Sequence, residues 1–156
     1  MGSEDRLALI PFENNLRSDY YKFTLMIEAN KTNAINYIDK LYTSGGTNIY
    51  EGLKGGLDLL IDNYQSGKTI ASMILFSDGQ DLYSNAEGNF KQYIKSQKKD
   101  DFLSTLHSFD YGDDHEAVLM NNISKIKNGG YFFILQLSNF LLSKMLSLKY
   151  MVLYPQ

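Results

Sequence analysis

The feature that most constrains the fold is a helical apolar stripe that runs, after one short polar break, into a mainly apolar stretch. Ile49, Leu53, Leu57, Leu60, Ile61 and Tyr64 recur at helical spacing and turn one face toward a core, with Thr47 or Asn48 placed to cap the start. Gln65-Ser66-Gly67-Lys68 breaks the pattern, and residues 70–76 follow as a strand.

The alternation continues in both directions. Residues 7–10 form an apolar run ending at Pro11, and residues 20–27, rich in aromatic and branched side chains, read as a second strand. After Thr32, read as an N-cap, Ile35, Ile38, Leu41 and Tyr42 recur at helical spacing up to Ser44-Gly45-Gly46. Downstream the pattern predicts a polar helix over 87–98, a strand over 102–109 and a loop over 110–115. A helix over 115–127 follows, with Val118, Leu119, Ile123 and Ile126 inward, then an end at Gly129-Gly130 and a strand over 131–135. This is the pattern of an α/β fold, Rossmann-like and doubly wound, with a mostly parallel sheet flanked by helices. Ligands of such sheets gather beyond the carboxyl ends of the strands, so the loops at 44–48, 77–81 and 110–115 are expected on one rim.

Composition removes several functions. At 156 residues the chain fits one domain, and a net charge of −3 with a pI near 5.3 gives no basic field for a nucleic-acid backbone. With no cysteine there is no disulfide scaffold, thiolate zinc site or cysteine nucleophile. Met1-Gly2-Ser3-Glu4-Asp5-Arg6 lacks the layout of a secretory signal, so the expected address is cytoplasmic. The apolar stretch 140–153 is broken by Lys144 and Lys149 and is too short to span a bilayer. Ser66-Gly67-Lys68-Thr69 resembles the tail of a phosphate-binding loop, but position 62 is Asp and the segment precedes a strand instead of following one. His107 and His115 read as packed or capping residues, since neither has a nucleophile at readable spacing, and no enzyme activity is expected.

Two loops carry chemistry. Ser44-Gly45-Gly46-Thr47-Asn48 places a hydroxyl on a glycine-rich turn ahead of a helix, where it can meet a ligand or simply end one helix and cap the next. Ser77-Asp78-Gly79 places a carboxylate at the tip of a strand, suited to a hard cation or to a tight turn.

In order and spacing, Ser44-Gly45-Gly46-Thr47-Asn48-Ile49-Tyr50-Glu51-Gly52-Leu53 and Ile74-Leu75-Phe76-Ser77-Asp78-Gly79-Gln80-Asp81 resemble the second and third parts of the metal-ion-dependent adhesion site of von Willebrand factor A (VWA) domains. Residues 106–115 and 126–134 are similar to the family's fifth strand, following helix and last strand, most of all in the intracellular branch joined to RING-type ubiquitin ligases. The resemblance covers roughly residues 5–135 and implies a partial VWA domain over 5–137. It implies that Thr47 and Asp78 bind a metal, that Ser44, Gly45, Gly46, Asn48, Gly79 and Gln80 form a partner-binding rim, and that an acidic side chain of a partner protein completes the metal sphere.

The family's first motif, Asp-x-Ser-x-Ser, does not occur, and the sequence opens at what would be the second strand, the expectation for an N-terminally truncated fragment. Mg2+ or Mn2+ is therefore expected only if that loop is supplied, because one hydroxyl and one carboxylate do not hold Mg2+ against its hydration shell. The missing strand is expected to leave its neighbours at the sheet centre with unpaired edges. Residues 138–156 read as a C-terminal helix, apolar nearly all round, or as a non-native tail. The expected function is a VWA-type protein-interaction module with an incomplete adhesion site. The alternatives are the VWA portion of a RING-type ubiquitin ligase and an incomplete gene product without independent activity.

Overall fold

The apolar run after the helical stripe becomes β3 (Ala71–Ser77), in which Ala71, Met73, Leu75 and Ser77 are buried while the residues between them are only partly so. The computed structural model describes residues 2–42, 45–63, 71–77, 81–83, 85–97, 104–111, 116–134 and 150–155. The stripe itself is α2 (Ile49–Asn63), and its buried Ile49, Leu53, Leu57 and Leu60 meet Met73 and Leu75 of β3 in one core. Ala86 and Phe90 of α3 (Ala86–Ser96) and Met120 and Ile123 of α4 (Ala117–Lys125) join the same core. Gly52 lets the chain before α2 approach closely, since a Cβ there would lie 2.7 Å from the Phe12 ring.

The remaining elements are β1 (Arg6–Pro11), β2 (Tyr21–Leu25), α1 (Glu28–Lys40), β4 (Ser104–Tyr111), β5 (Tyr131–Ile134) and β6 (Tyr150–Pro155). Together with β3, these five strands form a six-stranded sheet in the order β2-β1-β6-β3-β4-β5. β3 pairs parallel with β4 and β4 with β5, whereas β1 pairs antiparallel with β2 and β6, and β6 pairs antiparallel with β3. Hence β1, β3, β4 and β5 share one direction, and β2 and β6 run against it. This is the α/β, Rossmann-like architecture expected from the alternation.

The centre of the sheet departs from expectation. Residues 150–155 are a strand and not part of a helix, and they pair on both sides: Ala8↔Leu153 through Pro11↔Tyr150 with β1, and Ala71↔Pro155 through Phe76↔Tyr150 with β3. The edges expected to lie open at the centre are therefore paired. The physical reason is the composition of Tyr150-Met151-Val152-Leu153-Tyr154, aromatic and branched, which suits a pleated surface between two strands in need of partners. Residues 138–149, the rest of the predicted helix, lie outside the described residues.

Three local expectations also change. α1 starts at Glu28, so Thr32 lies inside the helix, where its hydroxyl donates back to the Glu28 carbonyl at 3.3 Å and does not cap. The end of α4 is made by Asn128, not by glycine: Asn128 takes the left-handed φ of 54°, and Gly129 N–H closes on the Ser124 carbonyl at 3.0 Å. Val118 is 75 % exposed, because the buried face of α4 centres on Met120 and Ile123, and Val118 lies about 140° around the helix from Ile123. Val118→Ala should therefore change stability by less than about 0.5 kcal/mol, while Ile123→Ala should lower it by about 2–5 kcal/mol in urea denaturation. Equal losses would place Val118 in the core after all.

Candidate functional site

The carboxyl ends of the parallel strands set the site. Ser77 and Asp110 end their ladder as register partners, and both are buried at the tips of β3 and β4. The chain leaving β1 turns back through a Phe12↔Leu16 bridge and reaches the loop ahead of α2. There Asn48 N–H donates to the Glu13 carbonyl at 2.8 Å, Gly46 N–H to Asn14 Oδ1 at 3.0 Å, and Asn48 Nδ2 to the Asn14 carbonyl at 3.1 Å. Gly45 has φ of +69°, a left-handed conformation that glycine adopts without strain, beside the Glu13 side chain.

The segment after β3 closes the other side. Leu82 N–H donates to the Thr47 carbonyl at 3.0 Å, and Asp81 Oδ1 accepts the Ile49 N–H at 3.2 Å. Asn48 Oδ1 accepts the Glu51 N–H at 3.2 Å. Of the two predicted caps, Asn48 is therefore the one that works in N-cap geometry, and Asp81 adds a carboxylate at the positive end of α2 from a distant part of the chain. Asp81→Ala and Asn48→Ala should each lower stability by about 1 kcal/mol, read by chemical denaturation. An unchanged midpoint for Asp81→Ala would show that the carboxylate does not hold α2.

Structure thus gathers the predicted Gly45, Gly46, Thr47 and Asn48 with the start of the 81–83 segment on one rim. Thr47 is 3 % exposed. Ser44, Asp78, Gly79 and Gln80 lie outside the described residues, as do residues 112–115 of the third expected loop. Sequence reasoning passed over Glu13, Asn14 and Asp110 as site residues, and quoted Asp81 without giving it a role. The only local signal for the first two was an Asn-rich turn directly after a strand, Pro11-Phe12-Glu13-Asn14-Asn15.

Arg17 braces the rim from outside. Its guanidinium pairs with Asp19 at 2.7 Å, reaches Glu13 at 3.9 Å and lies 4.4 Å from the centre of the Tyr42 ring. Asp110 accepts the Tyr131 hydroxyl at 3.2 Å. Burial, then the neighbouring carboxylate, raises the Tyr131 phenol above its ordinary value. Leu82 and Tyr83, by contrast, present large side chains to solvent, 65 % and 50 % exposed.

A divalent cation at this rim would need a shell of hard oxygens. The described residues bring the Thr47 hydroxyl, while the carboxylates of Asp81, in the adjoining segment, and of Asp110, at the tip of β4, already accept hydrogen bonds from Ile49 and Tyr131. No three His, Cys, Asp or Glu side chains converge among the described residues. These residues do not by themselves make up a coordination sphere for Mg2+. His107 has a structural place: its Nδ1 accepts the Gly130 N–H at 3.1 Å, and its ring lies beside Phe132. No helix among the described residues is long and apolar enough to cross a membrane.

Comparison with known proteins agrees with this architecture. A solved structure, von Willebrand factor type A from Catenulispora acidiphila, superposes with a TM-score of 0.68 at 18 % identity over 88 % of this chain and 31 % of that one. The fold is therefore that of a VWA domain. In sequence, the chain is 27 % identical over 131 residues to inter-alpha-trypsin inhibitor heavy chain H2 of Sus scrofa, and 26 % identical over 131 residues to the same protein of Mesocricetus auratus. Each match takes in 81 % of this chain, which spans 14 % of the length of those relatives. No protein-family model matches the chain.

Proposed function

We propose that this chain is a VWA-type protein-interaction module that takes a protein partner at the strand-end rim. The observation that carries the reading is the placement of Leu82 and Tyr83. Both are exposed large side chains, and the Leu82 amide is tied to the Thr47 carbonyl, so apolar contact surface stands directly beside the rim's polar groups. A buried apolar or aromatic anchor surrounded by polar groups is the usual layout of a protein interface, with tyrosine enriched among the residues that dominate its energy. The relatives in sequence are by name heavy chains of inter-alpha-trypsin inhibitor, which accords with a binding role. The reading contains no catalytic step.

A cation, Mg2+ or Mn2+, enters this reading only together with a loop carrying Asp-x-Ser-x-Ser. Thr47 and Asp78 would then be ligands, and an acidic partner side chain would complete the sphere. Membership of a RING-type ubiquitin-ligase polypeptide rests on the likeness of residues 106–115 and 126–134 alone, and paired cysteines and histidines in flanking sequence would decide it.

The test is retention of cellular proteins on the immobilised full chain, compared with Leu82→Asp and Tyr83→Asp. Both positions are exposed, so the variants should melt like the parent. The expected result is a set of proteins held by the parent and lost, by about tenfold or more, from both variants. The same set on all three would remove the rim from the mechanism. Repeating the capture with and without Mg2+ on Thr47→Ala separates metal-assisted from metal-free binding.

A further inference from the structure

The strand that closes the middle of the sheet is the last one in the sequence, and it runs against both neighbours. β1 and β3 point the same way and have no ladder to each other, so every sheet hydrogen bond joining the β2-β1 pair to the β3-β4-β5 half passes through β6. α2 lies across all three of β1, β6 and β3. A slot lined by two co-directional strands is thus filled by a strand antiparallel to both, paired along both of its edges.

The geometry of entry matters too. β5 ends with Ile134 opposite Tyr111, and β6 begins with Tyr150 opposite Phe76 and Pro11, so both ends of the connection lie at the carboxyl-end rim. β6 and β5 are separated by β3 and β4, three strand spacings or about 14 Å. The intervening residues 135–149 could span about 45–50 Å if extended. The tether is thus long enough to deliver β6 to a neighbouring molecule as well as to its own.

We propose that the slot between β1 and β3 is a strand-acceptor site whose alternative occupant is β6 of a second copy of this chain, forming a reciprocal strand-exchanged dimer. This rests on the sheet topology and not on the function proposed above. Exchange preserves every ladder pair, because the incoming strand has the same sequence and register, and reciprocity closes the assembly with two-fold symmetry. A vacated slot presents two unpaired strand edges at the sheet centre, a template for capture of another strand. The balance between the two occupants then follows protein concentration by mass action.

The chain has no cysteine, so engineered thiols report on this without interference. Ile74 and Val152 are register partners. Opposed residues of antiparallel strands have Cα atoms about 4.5–5.5 Å apart, within disulfide reach. Full-length Ile74→Cys and full-length Val152→Cys are prepared separately, mixed at high concentration, equilibrated and oxidised. The expected result is a covalent dimer, absent from either variant alone, whose linked peptides contain positions 74 and 152. Its yield should rise with concentration. The double variant, oxidised when dilute, should close the same link within one chain. Closure in the dilute double variant with no link in the mixture would overturn the proposal, since β6 would then fill only its own slot. Failure of the double variant to close would overturn it at its root. The pair Ile10→Cys and Met151→Cys, on the β1 side, repeats the test should the first pair disturb folding.

Discussion

Gly129→Ala should cost about 3 kcal/mol, at the upper end of what overpacking a folded interior does. A Cβ at this position would lie 1.8 Å from the Leu106 carbonyl oxygen and 2.4 Å from its carbon. Both are backbone atoms of β4, so no rotamer change relieves the contact, and either the strand or the turn into β5 must move. The turn cannot easily give way, because Gly129 N–H closes the end of α4 on Ser124, and Gly130 N–H and its carbonyl are engaged by His107 Nδ1 and Ser108 N–H. Gly130→Ala is the matched control. Its Cβ would meet the Phe132 ring at 3.1 Å, a side-chain contact that a shift of a few tenths of an ångström relieves; Phe132 is half exposed, though stacked on Phe109, so a loss below about 1 kcal/mol is expected. Urea midpoints of the two variants measure the difference. Similar losses would mean that glycine serves both positions only as a helix terminator.

That pair of glycines shows what the sequence could and could not disclose. Gly129-Gly130 reads as a helix end, and the helix does end there, but Asn128 supplies the left-handed residue. Gly129 is needed for a contact with a strand some twenty residues earlier. The same division runs through the chain. The α2 stripe and the β3 run were legible because burial writes a period into the sequence, and bringing residues 45–48 together with the segment that follows β3 accords with strand direction. Asp81 capping Ile49, Asn14 holding Gly46 and Arg17 stacking on Tyr42 were not legible, because a hydrogen bond or ring contact between distant segments leaves no local pattern. Val118 failed for another reason: it was read inward for its apolar side chain, although its position about 140° around the helix from Ile123 puts it on the far side. For 150–155 the obstacle was different again, since a short apolar run carries no period that separates strand from helix, and only the available edges of β1 and β3 decide it.

Val152→Pro tests that decision with the second large effect. Val152 is the register partner of Leu9 on one side and Ile74 on the other, in the interior of a strand paired along both edges. Proline there has no N–H to give to the ladder, and the carbonyl that received it is left without a donor. Losing the bond and stranding its acceptor should together cost about 2–4 kcal/mol. Lys22→Pro provides the comparison at the sheet edge: Lys22 is exposed on β2, at the irregularity of the β1–β2 register, where a change within about 1 kcal/mol is expected. If Val152→Pro were as mild as Lys22→Pro, residues 150–155 would not hold the sheet together, and the two halves would have to be joined through α2 and the hydrogen bonds of Glu13 and Asn14 to the loop ahead of it. A large loss confined to Val152→Pro would instead make the last strand in sequence the first requirement of the sheet, because nothing else among the described residues links β1 to β3 through a ladder.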